Sequence, residues 1–384
     1  MLLSAAKRRS TWSDRGFSCM NQSADDFDFA FTIEEEIFVC DGNSYELVRE
    51  IPPRFIAELR ARLGTRATVE ARPARIAITS HPFRLAAESV MDMPLLRKNL
   101  AGVAALHGLR ALAAGMHPLG EQVRQTCGLR VRVSIPTGID RAALTNRSIP
   151  WWPLYLAFST SSPFLNGSLG GLLSCRQARF DEWPCVGPAT NADALELNIA
   201  DTCTRVEDSV AIANLFRCHV ASLIRNPETG TDHTSHTHRI AEENHLRAQC
   251  DGIDAKFVCE GPAPVVSARA SLARLLDCVD MEIARFGCGP LLTTLVEIAN
   301  TGTSAHEQLR IYEECRRKGS SHRSALESVL QWLIEATAPS THKHRELHRF
   351  PRRPFAARTS THASIPDEHR WLTVPLLRTA SDCD

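Results

Sequence analysis

Three short stretches of this 384-residue chain place charged residues on one side of an alternating apolar pattern. In Phe27–Cys40 the odd positions Phe27, Phe29, Phe31, Ile33, Ile37 and Val39 are apolar. Side chains alternate along a strand, so Thr32, Glu34 and Glu36 share the opposite face. Two carboxylates on one strand face stand about 7 Å apart, twice the rise per residue. They repel by about 2 kcal/mol at an effective dielectric of about 20. A strand that accepts this cost calls for a nearby cation, either a hard metal such as Mg²⁺ or a basic side chain. Leu129, Val131, Val133 and Ile135 alternate with Arg130, Arg132 and Ser134, and Leu195, Leu197 and Ile199 alternate with Glu196 and Asn198. If these strands share a sheet, its polar face gathers Glu34, Glu36, Glu196, Arg130 and Arg132. The same pattern also describes an exposed face of solvated charges. Glu35 falls on the apolar side, where it must lie near an edge or find a partner.

The elements that would hold these residues follow from periodicity. Period-2 stretches predict strands at Phe27–Cys40, Arg75–Thr79, Leu129–Ile135 and Leu195–Ala200. A stripe of Leu96, Leu100, Val103, Leu106 and Leu109 predicts a helix over 94–115, and Val206, Val210, Ala213, Phe216 and Val220 predict one over 205–224. Two more are expected over 270–286 and 324–337. Thr204-Arg205-Val206-Glu207 and Ser324-Ala325-Leu326-Glu327 fit capping boxes, and Gly115 and Gly287 suit helix ends. Together these elements predict an α+β fold, a mainly antiparallel sheet with helices on one face and the other exposed. Residues 1–26 read as a flexible N-terminal arm, 27–338 as one domain, and 339–384 as a basic His- and Pro-rich tail.

Composition narrows the function classes. The chain carries 44 basic and 44 acidic side chains, which gives no electrostatic reason to expect a nucleic-acid or membrane partner. Its thirteen cysteines are odd in number and include no CxxC pair, against a zinc ribbon, a thioredoxin-like motif or a secreted disulfide scaffold. The first nine residues put their charges after a very short apolar run, the wrong order for a secretory signal. The uncharged stretch 148–175 is broken by Pro150, Pro153 and Pro163, so it reads as buried loop and helix and not as a membrane span. A cytoplasmic protein with reduced thiols and small-molecule partners is expected, and a homo-oligomer is allowed.

Other chemistry-bearing groups have plainer readings. His233, His236 and His238 have chelating spacing but lie in a turn-rich region without a cysteine partner, and read as an exposed loop. His342, His344 and His348 get the same reading. Cys127 reads as a buried thiol in a tight turn, Ser159–Ser162 as turn and helix-end chemistry, and Trp151-Trp152 as core or interface.

The order of several segments resembles the carboxylate–amine ligases related to glutamate–cysteine ligase type 2, whose fold is similar to glutamine synthetase. The matching pieces are Thr32–Asp41, Gly115-Met116-His117-Pro118, Cys127–Val133, Ser159–Phe164, Ser174–Arg176, Leu195–Asp201 and Val206–Ala211. Gly302-Thr303 through Tyr312 and Trp332–Glu335 complete the series, so the resemblance covers about residues 30–337. It implies a curved sheet and ATP-dependent joining of a carboxylate to an amine through an acyl phosphate, with glutamate and cysteine as substrates. It implies ATP and Mg²⁺ as cofactors, with Glu34, Glu36 and Glu196 as metal ligands and Arg130, Arg132 and Arg176 acting on phosphates.

Departures from the family pattern fall at and around those positions. Arg130 and Arg132 stand where the family has His-x-His, and a guanidinium cannot coordinate a metal. Phe83–Val90 resembles the family's second acidic strand, yet Leu85 occupies the carboxylate position, with Glu88 nearby. Asn198 replaces an arginine, and the connections Leu119–Thr126 and Pro188–Ala194 are short. Two outcomes follow. The arginines grip ATP phosphates beside a reduced metal site, giving a weak ligase. Alternatively, they pair directly with the glutamates, giving a non-catalytic relic that serves as a binding or interaction protein.

Overall fold

Strand β1 (Phe31–Asp41) lies at the centre of a six-stranded antiparallel sheet. Its neighbours are drawn from β2 (Ala67–Glu70), β3 (Arg75–Thr79), β4 (Leu109–Leu112), β5 (Leu129–Ser134) and, after the hairpin β6 (Phe164–Leu165) and β7 (Ser168–Leu169), β8 (Ala194–Leu197). The sheet runs β2-β3-β1-β5-β8, and β4 pairs with the Phe38–Asp41 half of β1, beyond the reach of β5. The computed structural model describes residues 27–70, 74–120, 126–177, 193–226, 235–259 and 265–338. The predicted arm and tail lie outside the described residues, as do His233, His342, His344 and His348.

β1 begins at Phe31 and not at Phe27, because Phe29 adopts a left-handed backbone (φ 47°) that ends the extended run. Arg217 secures this turn by donating to the carbonyls of Asp28, Phe29 and Arg84 at 2.6, 3.0 and 2.7 Å. The predicted strand 75–79 is observed, and those at 129–135 and 195–200 appear with slightly different ends.

The odd residues of β1 face the main core. Phe31, Ile33, Ile37 and Val39 pack with Ile76, Ile78, Val131, Val133, Leu195 and Leu197. Over them lie α2 (Ala86–Leu106), which follows α1 (Pro53–Leu63), and α5 (Val206–Arg225), which follows α3 (Arg141–Ser148) and α4 (Trp152–Ser159). α5 is buried on nearly every side, and its enclosed Arg217 and His219 make hydrogen bonds. Farther along come α6 (Ser235–Asp251), the hairpin β9 (Lys256–Val258) and β10 (Val265–Ser267), α7 (Ala268–Cys278), α8 (Asp280–Phe286), α9 (Gly289–Thr301), α10 (Ser304–Arg317) and α11 (His322–Thr337). Trp152 is buried in the main core and Trp151 packs against it, as expected.

The opposite sheet face is not uniformly exposed. Even-numbered Phe38 and Cys40 join Leu112, Ala114, Cys127 and Phe164 in a second core under Leu326, Val329, Leu330 and Leu333 of α11. Helices therefore cover both faces at this end of β1, a correction to the one-sided layer. The sequence pattern already contains the change: the even positions of β1 turn from Thr32, Glu34 and Glu36 to Phe38 and Cys40.

Helix boundaries also differ. The predicted helix 94–115 is α2 followed by a turn through Gly108 (φ 70°) and β4, so Leu109 belongs to a strand and Gly115 caps no helix. Phe83–Val90 forms the approach to α2 and its first turn, with Leu85 as an exposed N-cap and Glu88 accepting from the backbone of Arg84 and Leu85. Helix 270–286 is split by Val279 into α7 and α8, and Gly287 ends α8 in the left-handed conformation expected of it. Neither predicted capping box forms: the Thr204 hydroxyl donates to the Ala113 carbonyl, and Ser321 caps α11 by accepting from Ser324 N–H. Among the described residues, no helix is long and apolar enough to cross a membrane.

Candidate functional site

The register of three adjacent strands brings the predicted charges together. Glu34 on β1 lies opposite Arg130 on β5, and Arg132 on β5 lies opposite Glu196 on β8. Cross-strand neighbours on one face are close enough to interact directly. Arg130 Nη1 donates to Glu34 Oε1 and Arg130 Nε lies 3.1 Å from Glu196 Oε1. Arg132 Nε donates to Glu196 Oε2 at 2.7 Å, and its Nη1 reaches Glu34 Oε2 at 3.4 Å. Each guanidinium thus bridges both carboxylates. The side chains of Arg130 and Arg132 remain 35% and 30% exposed, and those of Glu34 and Glu196 16% and 14%. Burial opposes the charge of Arg132, but the hydrogen bond and charge of Glu196, followed by Glu34, outweigh it and hold its pKa above the ordinary value.

Glu36 shares the face but not the quartet. Its carboxylate accepts from Gly128 N–H at 2.9 Å and faces Arg75 Nη1 at 3.6 Å, and Arg75 also donates to the Thr126 carbonyl at 2.7 Å. Arg176 is elsewhere again, buried beneath Gly128. Its Nη1 donates to the carbonyls of Ile199 and Ala200, each at 3.2 Å, and its Nη2 to that of Asn198 at 3.4 Å. A Cβ at residue 128 would overlap Arg176 Nη2, so glycine permits this close passage. Among the described residues, no group of three or more His, Cys, Asp or Glu side chains is placed to hold a metal ion.

Two further centres hold this face in shape. Asp201, fully buried, accepts from Ser161 N–H at 3.0 Å, Ser162 Oγ at 2.7 Å and Ser174 Oγ at 2.9 Å, with Arg176 Nη1 at 3.8 Å. Burial pushes its pKa up against the lowering effects of Arg176 and these donors. The serine run after α4 is therefore an anchor for a buried carboxylate, consistent with a structural reading. Glu35 finds its partner in Arg97 of α2, with hydrogen bonds of 2.8 and 2.7 Å. The sequence carried a signal for Arg97: it follows Met93 by four residues and precedes Leu100 by three, on the apolar side of α2.

Residues 119–193 and 186–331 match the pattern described as Glutamate-cysteine ligase family 2, which covers more than half of the chain. The chain belongs to this family. It is 29% identical over 365 residues to a protein of Ectopseudomonas mendocina named "Putative glutamate--cysteine ligase 2", covering 80% of this chain and 96% of that one. A protein of the same name from Bradyrhizobium diazoefficiens is 26% identical over 399 residues, covering 88% and 91%.

Solved structures share the fold. Glutamate–cysteine ligase from Francisella tularensis in complex with AMP superposes with a TM-score of 0.57 at 8% identity, covering 81% of this chain and 89% of that one. The ligase PafA, in complex with the ubiquitin-like protein Pup, gives 0.53 at 9% identity, covering 77% and 70%. The glutamate–cysteine ligase family 2 member described here therefore has the α+β, glutamine-synthetase-like ligase fold, with the Arg130–Arg132 quartet on its sheet face.

Proposed function

We propose that this chain is a non-catalytic member of the carboxylate–amine ligase family that acts as a binding or interaction protein. The reading is carried by one observation: Arg130 and Arg132 each bridge Glu34 and Glu196. A guanidinium stays protonated and offers no lone pair to a metal, so two of the four groups cannot be ligands. The other two already accept charge-assisted hydrogen bonds. Two arginines and two glutamates sum to no net charge, and Glu36 and Arg75 balance in the same way. The face therefore lacks the excess negative charge that draws a divalent ion. As arranged, these residues do not fit Mg²⁺. Arg176 has its guanidinium engaged with backbone carbonyls below the face, which removes a third candidate for clamping phosphate.

A second reading is favoured by similarity to the glutamate–cysteine ligase 2 relatives along nearly their whole length. In it the chain retains a weak ATP-dependent ligase activity on glutamate and cysteine, forming an amide. Glu34, Glu36 and Glu196 would hold Mg²⁺, while Arg130, Arg132 and Arg176 would act on phosphates after the quartet opens.

A thermal-shift series with ATP, with and without Mg²⁺, separates the two readings, run beside an ADP-release assay over a panel of carboxylates and amines. The non-catalytic reading expects no Mg²⁺-dependent stabilisation by ATP and no ADP release. ADP release that requires both glutamate and cysteine, and that Glu36→Ala abolishes, would overturn it in favour of the ligase.

A further inference from the structure

Cys218 on α5 and Cys288, the N-cap of α9, meet inside the main core. Both are fully enclosed, and their sulfurs are 3.4 Å apart although 70 residues separate them in sequence. A disulfide needs about 2.0 Å between sulfurs, so closure requires a displacement smaller than one bond length. The two thiols have unequal surroundings. The two sulfurs share one hydrogen bond, and it, with the nearby Arg217 charge and the place of Cys288 at the start of α9, holds the Cys288 thiol below its ordinary range despite burial. The same bond and burial drive Cys218 well above it. Arg217 is fixed with its guanidinium 3.9 Å from the centre of the Phe286 ring, two residues before Cys288. Cys40 has no such partner, and burial pushes its thiol up to about 12. The pair therefore combines a thiolate-prone sulfur with an adjacent protonated one, the arrangement of an attacking and a resolving cysteine.

We propose that Cys218 and Cys288 form a reversible oxidation site that a peroxide closes into an intramolecular disulfide between α5 and α9. The Cys288 thiolate attacks one peroxide oxygen, the O–O bond breaks, and hydroxide leaves Cys288 as the sulfenic acid. The Cys218 sulfur then attacks the sulfenic sulfur, the S–O bond breaks, and the oxygen departs as water. In sum, two thiols lose two electrons and two protons, and the peroxide becomes two waters. A dithiol reductant reverses the step. Because both thiols are enclosed, the step requires a local opening of the chain. Cys288 follows α8, a seven-residue helix between Val279 and the left-handed Gly287, and its N–H bonds to the Ile283 carbonyl. The bond would fasten α9 to the helix whose Arg217 also holds the carbonyls leading into β1. This inference does not depend on whether the sheet face is catalytic.

The test treats the full chain with hydrogen peroxide, alkylates it after denaturation and maps the linkages by mass spectrometry without reduction. The expected product joins the Cys218 and Cys288 peptides, and raises the melting temperature by about 5 °C until dithiothreitol is added. Cys218→Ala should leave a dimedone-reactive sulfenic acid at Cys288, and Cys278→Ser should leave the link intact. The proposal is overturned if Cys218 and Cys288 stay alkylatable while exposed Cys250 and Cys278 are oxidised. It is equally overturned if Cys288 pairs with a different cysteine.

Discussion

Glu35 and Arg97 meet as two parallel hydrogen bonds, Nε to Oε2 at 2.8 Å and Nη2 to Oε1 at 2.7 Å, and neither side chain reaches solvent. The remaining guanidinium hydrogens go to the carbonyls of Cys203, Thr204 and Thr337 at 2.7, 2.6 and 3.3 Å. All five donors of Arg97 are therefore engaged. One residue ties the central strand to the loop before α5 and the end of α11. It also fixes which way β1 faces, since Glu35 toward the core sets Glu34 and Glu36 toward the polar side.

Breaking this centre should be costly. Glu35→Gln leaves a buried guanidinium without its counter-charge, and about 3–5 kcal/mol of stability should be lost. Arg97→Met should cost at least as much, because it orphans three carbonyls as well as a carboxylate. The double variant Glu35→Leu/Arg97→Met should lose less than the sum of the singles. Urea denaturation of the four proteins measures this. Additive losses would mean that the pair is not a unit.

Stability should also fall as the solution is acidified through the histidine range. Burial pushes His117 down to about 4, His219 to about 3 and His245 to about 4. These folded-state values lie below the unfolded value of about 6.5, so the unfolded chain takes up protons first as the pH drops. The stabilisation is present at pH 7 and is lost from about pH 6.5 downward, at about 1.4 kcal/mol per pH unit for each histidine. His219 Nδ1 and the Tyr155 hydroxyl are hydrogen-bonded at 3.0 Å, and the two rings stack. Replacing it in His219→Gln should flatten the slope between pH 6 and pH 4.5 by about one third. Urea midpoints across that interval provide the check, and an unchanged slope would contradict neutral burial of His219.

The salt-bridge quartet should matter less than the Glu35–Arg97 pair. Water reaches all four side chains, so Arg132→Ala should cost about 1–2 kcal/mol, and the gap from the parent protein should narrow in 0.5 M salt (roughly a 4 Å Debye length). Chemical denaturation at two ionic strengths tests both points. A loss as large as that of Arg97→Met would mean that the quartet is sealed from solvent.

Much of this arrangement was legible in period-2 patterning. Glu34, Arg130, Arg132 and Glu196 share a face because apolar alternation sets the register, and a one-residue slip would bury every charge. Other features depend on contacts distant in sequence. The helix stripe ran on to Leu109 because that residue is apolar in either structure; the turn at Gly108 decides that it belongs to β4. Thr204 looked like a cap, but its hydroxyl is drawn to the Ala113 carbonyl in a buried site. The family resemblance assigns Arg176 to phosphate, and only the packing beneath Gly128 reveals its carbonyl partners.

The quartet can also be turned back toward metal chemistry by substitution. Arg130 and Arg132 lie on the strand between Glu34 and Glu196, with Arg130 directly opposite Glu34 and Arg132 directly opposite Glu196. Replacing both guanidiniums by imidazoles removes two positive charges and supplies two neutral nitrogen ligands beside two carboxylates, a set suited to Mn²⁺ or Zn²⁺. The double variant Arg130→His/Arg132→His should therefore be less stable than the parent without metal, since Glu34 and Glu196 then repel. It should regain about 2.7 kcal/mol when Mn²⁺ or Zn²⁺ reaches about 100 times its dissociation constant. The parent protein should show no such response, because its carboxylates are already neutralised. Thermal unfolding of both proteins against metal concentration gives the answer. If the variant gains nothing from either ion, the two arginines are not substitutes for a metal.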